Sequence, residues 1–205
     1  DVVDLYGVAP EKIVVTPLAA DPAFSPEGPA ADGSPYVLFV GALQPRKEPT
    51  VAIEALSLLG DEELRLVLAG PDKGGRADAE RVAAELGVAD RIEFRGHVSQ
   101  EELVALYRGA ACLVFPIRYE GFGLPVLEAM ASGTPVVASS AGALPEVAGD
   151  AAIMVEEQNA PALAGGIERA IADRERLRAA GLERARHYSW AETARLTLET
   201  YRELL

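Results

Sequence analysis

The run Glu120-Gly-Phe-Gly-Leu-Pro-Val-Leu-Glu128 sets two carboxylates around a Gly-Phe-Gly turn, with seven residues between them. Glycine lets a backbone approach an anion closely and adopt positive φ. Pro125 suits the first turn of a helix, where no N–H is required. The N–H groups of Phe122, Gly123 and Leu124 are therefore placed to face a diphosphate, with Gly121 opening the loop. With Pro125 at the first helical position, Glu128 falls in the first helical turn and Glu120 lies ahead of it. The two acids then enter one cleft from different elements. They cannot both lie against phosphate, where like charges repel. An ionised carboxylate accepts two hydrogen bonds and suits ligand hydroxyl groups instead. Taken singly, Glu128 is equally an acid favoured by the helix dipole, by about 0.3–1 kcal/mol, and Glu120 equally a surface acid beside a turn.

A second loop, Gly41-Ala-Leu-Gln-Pro-Arg46-Lys47, puts two adjacent cations between an apolar run and a helical pattern. One can grip a phosphate bidentately while the other supplies a point charge, and the following helix adds unpaired N–H groups. Alone, this loop reads more simply as two solvated cations; the Gly-Phe-Gly loop shifts that balance. A third loop, Gly96-His97-Val98-Ser99, is either a plain connector or the border of a base, with His97 stacking and the Val98 backbone reading an edge. Ser99 and Glu102 form a capping box for the next helix. A ligand with phosphates and several hydroxyls satisfies the first two loops together. A nucleotide-sugar is such a ligand. The sequence has no G-x-G-x-x-G fingerprint, no P-loop, no zinc spacing, no calcium loop and no nucleophile elbow.

Stepping outward, apolar strand-like runs fall at 36–40, 64–69, 91–95, 112–115, 135–138 and 152–155, with helical patterns at 49–59, 76–86, 99–109, 124–132 and 143–148. Short, almost wholly apolar strands alternating with helices predict right-handed crossovers and a parallel sheet covered on both faces. The expected fold class is α/β, a Rossmann-like doubly wound sheet of about six strands followed by C-terminal helices at 160–172, 173–187 and 189–204. In such a sheet ligands bind at the carboxyl ends of the strands. The last helix, with Ser189 as N-cap, carries an apolar stripe at Trp190, Ala194, Thr197, Tyr201 and Leu204. Residues 12–16 read as a lone strand, and 21–35 as a Pro- and Gly-rich linker. The expected organisation is therefore 1–35 as a remnant of a preceding domain with its linker, 36–188 as the nucleotide-sugar-binding domain, and 189–205 as a helix returning to the preceding domain.

The 205 residues carry a net charge of −13, which argues against a nucleic-acid partner. No apolar run reaches the roughly 18–20 residues a membrane span needs, and no signal peptide is visible. The expected location is the cytoplasm, with peripheral membrane attachment open for a longer protein. The single cysteine, Cys112, sits in an apolar run and reads as core rather than nucleophile.

The pair Glu120…Glu128, the loop Gly41…Lys47 and the strand ahead of each resemble the retaining GT-B glycosyltransferases of family 4. The resemblance runs along essentially the whole chain. It implies that the chain is one half of a GT-B fold, the donor-binding C-terminal domain. It implies that Arg46 and Lys47 hold the donor diphosphate and stabilise the leaving group, that Glu120 binds sugar hydroxyls near the reacting carbon, and that Glu128 binds the ribose. Gly41 and residues Gly121, Phe122, Gly123 and Leu124 then cradle phosphate and sugar, and His97 and Val98 border the base. It further implies metal-independent hexosyl transfer from an NDP-hexose as donor substrate, with no tightly bound cofactor and with GDP-mannose or UDP-glucose as suggested donors. Two positions depart from the pattern: Ala42 stands where many members have Arg, with Arg46 the expected substitute, and Glu48 where one branch often has Asn. The missing partner is an N-terminal acceptor domain, whose absence leaves segments 12–16 and 189–204 open to self-association. The competing readings are a nucleotide-sugar epimerase of the same fold and a catalytically silent nucleotide-binding module.

Overall fold

A computed structural model describes residues 2–33 and 35–203. In chain order the elements are α1 (Val2–Tyr6), β1 (Tyr36–Val40), α2 (Pro49–Ser57), β2 (Arg65–Ala69), α3 (Arg76–Glu85), β3 (Ile92–Gly96), α4 (Gln100–Gly109), β4 (Cys112–Phe115), α5 (Leu124–Ala131), β5 (Val136–Ser139), α6 (Leu144–Ala148), β6 (Ile153–Val155), α7 (Ala160–Ala172), α8 (Arg174–Ala185) and α9 (Trp190–Glu203). The six strands form one parallel sheet in the order β3-β2-β1-β4-β5-β6. This is the expected doubly wound, Rossmann-like architecture.

Strand alternation divides the core. Val37, Phe39, Leu66, Leu68, Cys112 and Val114 face one side with residues of α2, α3 and α7. Leu38, Val40, Val67, Ala69, Leu113 and Phe115 face the other with residues of α4, α5 and α6. Both faces are therefore apolar, which is why the strands read as continuous apolar runs. Each such Val, Leu or Phe contributes about 1.5–3 kcal/mol by leaving water. Cys112 is fully buried, and burial pushes its thiol pKa up to about 12 against a smaller opposing effect of Arg174. It belongs to the core.

Two expectations change at the chain ends. Residues 12–16 are not a strand: a 3-10 turn spans Pro10–Lys12, and the chain leaves it extended at Ile13 without joining a sheet. A lone strand has no partner for its N–H and C=O groups, so apolar pattern alone does not make one. The Pro- and Gly-rich stretch is docked rather than loose. Phe24 is buried edge-on against Tyr107, with ring centroids 5.7 Å apart, and the Ala31 N–H donates to the Ala105 carbonyl at 2.9 Å. On α9 the Ser189 cap forms, its Oγ accepting from the Glu192 N–H at 3.1 Å. Of the stripe, Trp190, Ala194 and Tyr201 are exposed and Thr197 is half-buried, as are Thr193, Leu196 and Thr200. Leu204 lies outside the described residues. No helix among the described residues is long and apolar enough to cross a membrane.

Candidate functional site

The strand order reverses between β1 and β4, which are adjacent in the sheet but 70-odd residues apart in sequence. Their following helices leave toward opposite faces, so the loops at their carboxyl ends diverge and open a crevice. Those loops are 41–48 and 116–123, which carry the two sequence-predicted charge clusters.

Gly41 has φ 146, and Lys47 folds back across it. A Cβ built on Gly41 would meet the Lys47 Cδ at 3.9 Å. A 3-10 turn over Pro45–Lys47 turns the Lys47 side chain inward, where it is buried, while Arg46 stays exposed. The Lys47 Nζ lies 2.5 Å from Glu120 Oε2 and 4.9 Å from the centroid of the Phe115 ring. The Arg46 Nη1 reaches the Tyr119 carbonyl at 3.5 Å, and the Arg118 N–H donates to the Arg46 carbonyl at 3.1 Å. Ala42 is half-buried beside them. The structure thus joins Gly41, Arg46, Lys47 and Glu120 in one cluster at the crevice.

The Glu120 backbone is held from a third loop. Its carbonyl accepts from the Ala143 N–H at 3.1 Å, and a Cβ on Gly142 would stand 2.3 Å from that oxygen. Gly123 adopts φ 103, ψ 44 as the N-cap of α5, a left-handed conformation that glycine carries without penalty. Leu124 is therefore the first helical residue, Pro125 the second and Glu128 the fifth. The sequence expectation was displaced by one position, because Gly123 caps the helix, and Glu128 lies just beyond the first turn. Gly121 is exposed, and Phe122 packs edge-on against Tyr188 with centroids 5.9 Å apart.

The two acids have different partners. Glu128 turns toward α4, where its Oε2 accepts the Tyr107 hydroxyl at 2.9 Å. Burial raises its carboxyl pKa above the ordinary value, the Tyr107 hydrogen bond lowers it, and the nearby charge of Asp21 raises it further. Tyr107 is fully buried, and its phenol pKa is raised well above the ordinary value, first by burial and then by the Glu128 charge. Tyr107 was not read from the sequence as part of this region. Its helical spacing marked it only as apolar, and nothing local ties it to a residue 21 positions on.

His97 and Val98 follow β3, two strands from β1 in the sheet. At the usual strand spacing that is roughly 10 Å away. His97 is exposed, and Val98 is half-buried against the α4–α5 side of the core. Ser99 caps α4 as expected, accepting from the Glu102 N–H at 3.2 Å. Between this loop and the crevice runs the loop after β2. There the Gly70 N–H donates to the Gly96 carbonyl at 2.7 Å and the Leu43 N–H to the Pro71 carbonyl at 2.9 Å, so three consecutive loops form one rim.

Sequence reasoning marked Glu48 only as a departure and did not single out Arg118. The structure pairs them: the Arg118 Nε donates to Glu48 Oε1, beside the Lys47–Glu120 pair. Among the described residues, no group of three or more His, Cys, Asp or Glu side chains is arranged to hold a metal ion.

In a doubly wound α/β domain the topological switch point is where ligands bind, and in this chain it holds the Lys47–Glu120 pair. The family model described as glycosyl transferases group 1 matches residues 21–187, and the chain belongs to that family. It is 37% identical to D-inositol 3-phosphate glycosyltransferase of Nocardia farcinica, over 97% of this chain and 49% of that protein. It is 33% identical to O-antigen chain mannosyltransferase B of Escherichia coli, over 100% of this chain and 58% of that protein. Among solved structures, the C-terminal domain of the glycosyl transferase group 1 family protein LpcC from Francisella tularensis matches with a TM-score of 0.66 and 27% identity. That match covers 74% of this chain and 85% of the solved one. The chain therefore spans about half the length of the curated relatives it matches.

Proposed function

We propose that this chain is the nucleotide-sugar-binding half of a retaining glycosyltransferase, taking an NDP-hexose as donor. The observation that carries the reading is the Lys47–Glu120 pair. A buried cation and a carboxylate stand side by side at the switch point, flanked by Arg46 and the N-terminal turn of α5, which supports a seat for a diphosphate and sugar hydroxyls. In sugar transfer the bond between the anomeric carbon and the diphosphate oxygen breaks, and negative charge builds on the departing phosphate. Lys47 and Arg46 stabilise that charge, as fixed cations do best in a partly dry site. Gly41, Gly121, Phe122, Gly123 and Leu124 line the phosphates and sugar, Glu120 receives sugar hydroxyls, and Glu128 receives the ribose through the carboxylate capacity that Tyr107 leaves. His97 and Val98 border the base.

Membership in the glycosyl transferase group 1 family and the two named relatives support the reaction class. The mannosyl relative supports GDP-mannose as a donor to try first, with UDP-glucose beside it. The acceptor side belongs to chain that the longer relatives have in addition. Calorimetric titration with GDP, UDP and ADP and with their hexose derivatives tests the reading. Binding of one nucleotide series, tighter with the sugar attached, is expected. No binding by any of the six would end it. Sugar transfer requires the acceptor half, so robust transfer by these 205 residues alone to a simple acceptor would contradict that division. Product analysis also excludes the epimerase if no epimer forms without acceptor.

A further inference from the structure

Lys47 and Glu48 are consecutive, and Arg118 and Glu120 are two residues apart. The two site loops therefore meet through two neighbouring ion pairs of opposite sense, Lys47 with Glu120 and Arg118 with Glu48. The first pair contains the groups that would handle a donor. The second contains neither. Resting on the donor-site reading above, we propose that Glu48 and Arg118 are positioning residues: their pair keeps the two loops in register while a diphosphate draws Lys47 away from Glu120.

Two features of Glu48 call for such a role. Its backbone sits at φ 54, ψ 47, a left-handed conformation that a residue with a side chain adopts at a cost and that Gly or Asn would hold more easily. Its side chain is only 8% exposed, so its carboxylate is held largely out of water. A buried charge survives only if it is paired. The partner it has is an arginine 70 residues away, on the opposite loop, and the adjacent Arg118 N–H also ties that loop to the Arg46 carbonyl at 3.1 Å. Pro49 follows Glu48 directly and opens α2, so a displaced Glu48 would carry the helix entry and Lys47 with it. When phosphate takes the Lys47 ammonium, the Lys47–Glu120 contact opens, and among the described residues the Glu48–Arg118 pair is the ion pair left between the loops, beside the long Arg46–Tyr119 hydrogen bond.

The test separates positioning from simple neutralisation of a buried charge. Arg118→Met leaves Glu48 without its partner and is expected to lose stability as well as binding. The deciding variant is Glu48→Gln/Arg118→Met, which removes both charges together. Two quantities are measured on wild type and variants: hydrogen–deuterium exchange of the ligand-free protein, and calorimetric affinity for GDP and UDP. In the double variant, exchange in 41–48 and 118–123 is expected to rise several-fold while the rest of the sheet is unchanged. Nucleotide affinity is expected to fall about three- to tenfold, and Arg118→Lys to recover most of it. Wild-type exchange in both loops of the double variant would overturn the proposal, as would unchanged affinity. If the wild-type protein binds neither nucleotide, nor ADP, nor any of the hexose derivatives, the donor-site reading falls. The exchange result then shows separately whether the pair braces the loops.

Discussion

Lys47 and Arg46 occupy one turn yet stand in opposite environments, and their substitutions should differ accordingly. Arg46 is exposed and its hydrogen bonds, to the Tyr119 carbonyl and the Gln44 side chain, lie at the surface, so Arg46→Ala should leave folding intact. It should weaken diphosphate binding by about 1.5–3 kcal/mol, the worth of a hydrogen bond to a charged group. Calorimetry with the bound nucleotide reads this directly, and an unchanged affinity would return Arg46 to the status of a solvated cation. Glu128 predicts a pH effect. Its carboxyl pKa is raised in the folded protein above its ordinary 4.5, chiefly by burial. The native state therefore binds that proton more tightly than the unfolded chain. Its contribution to stability is full below pH 4.5 and is lost as pH rises through the folded value. Glu128→Gln keeps an acceptor for the Tyr107 hydroxyl and removes the charge. Its melting temperature should equal or exceed wild type at pH 7, with the gap closing near pH 4.5. Its nucleotide affinity should fall. A Glu128→Gln protein less stable than wild type at pH 7 would show that the carboxylate is net stabilising.

At the level of elements, the rim of the crevice depends on backbones that touch. Gly70 follows β2 at φ 151, and a Cβ there would stand 2.0 Å from the Gly41 carbonyl oxygen. Neither backbone can yield without moving a strand end. Gly70→Ala should therefore destabilise by about 2–4 kcal/mol, as strained positions do, seen as a lower denaturant midpoint. Gly60, whose Cβ would meet nothing within 4 Å, supplies the control. The same dependence explains what was legible here and what was not. The central strands were readable because burial on both faces makes them nearly continuous apolar runs, whereas the edge strand β3 carries Glu93 and Arg95, is only partly buried, and was readable chiefly from its place between two helical patterns. Helix α5 was readable to within one residue, because Gly123 and Pro125 mark its start. Residues 12–16 were misread because a strand is defined by its partner, and no apolar pattern reports whether one is there.

At the scale of the molecule, the N-terminal segment and the last helix present apolar side chains to water. Leu5 and Tyr6 on α1, Val15 on the extended segment, and Trp190, Leu198 and Tyr201 on α9 are all exposed. The Thr193 hydroxyl donates to the Pro17 carbonyl at 2.5 Å, so α9 and the extended segment are neighbours. Uncovered apolar surface of this kind favours association. The protein should sediment with a concentration-dependent mass, and Leu198→Glu/Tyr201→Glu should shift it toward monomer without lowering its melting temperature. A wild-type monomer at every concentration would refute this.

The amino-acid sequence determined the α/β alternation, the caps at Ser99 and Ser189, the apolar core and the residue types of both charged loops. Each of these depends on side chains within a few positions of one another. It did not determine which loops meet. That Lys47 pairs with Glu120 and Glu48 with Arg118 follows from the strand order, which sets β1 beside β4, and that Glu128 meets Tyr107 follows from α4 and α5 packing on the same face of the sheet. Pairings across 21 to 73 residues leave no local pattern, because only the closed sheet brings those side chains within reach.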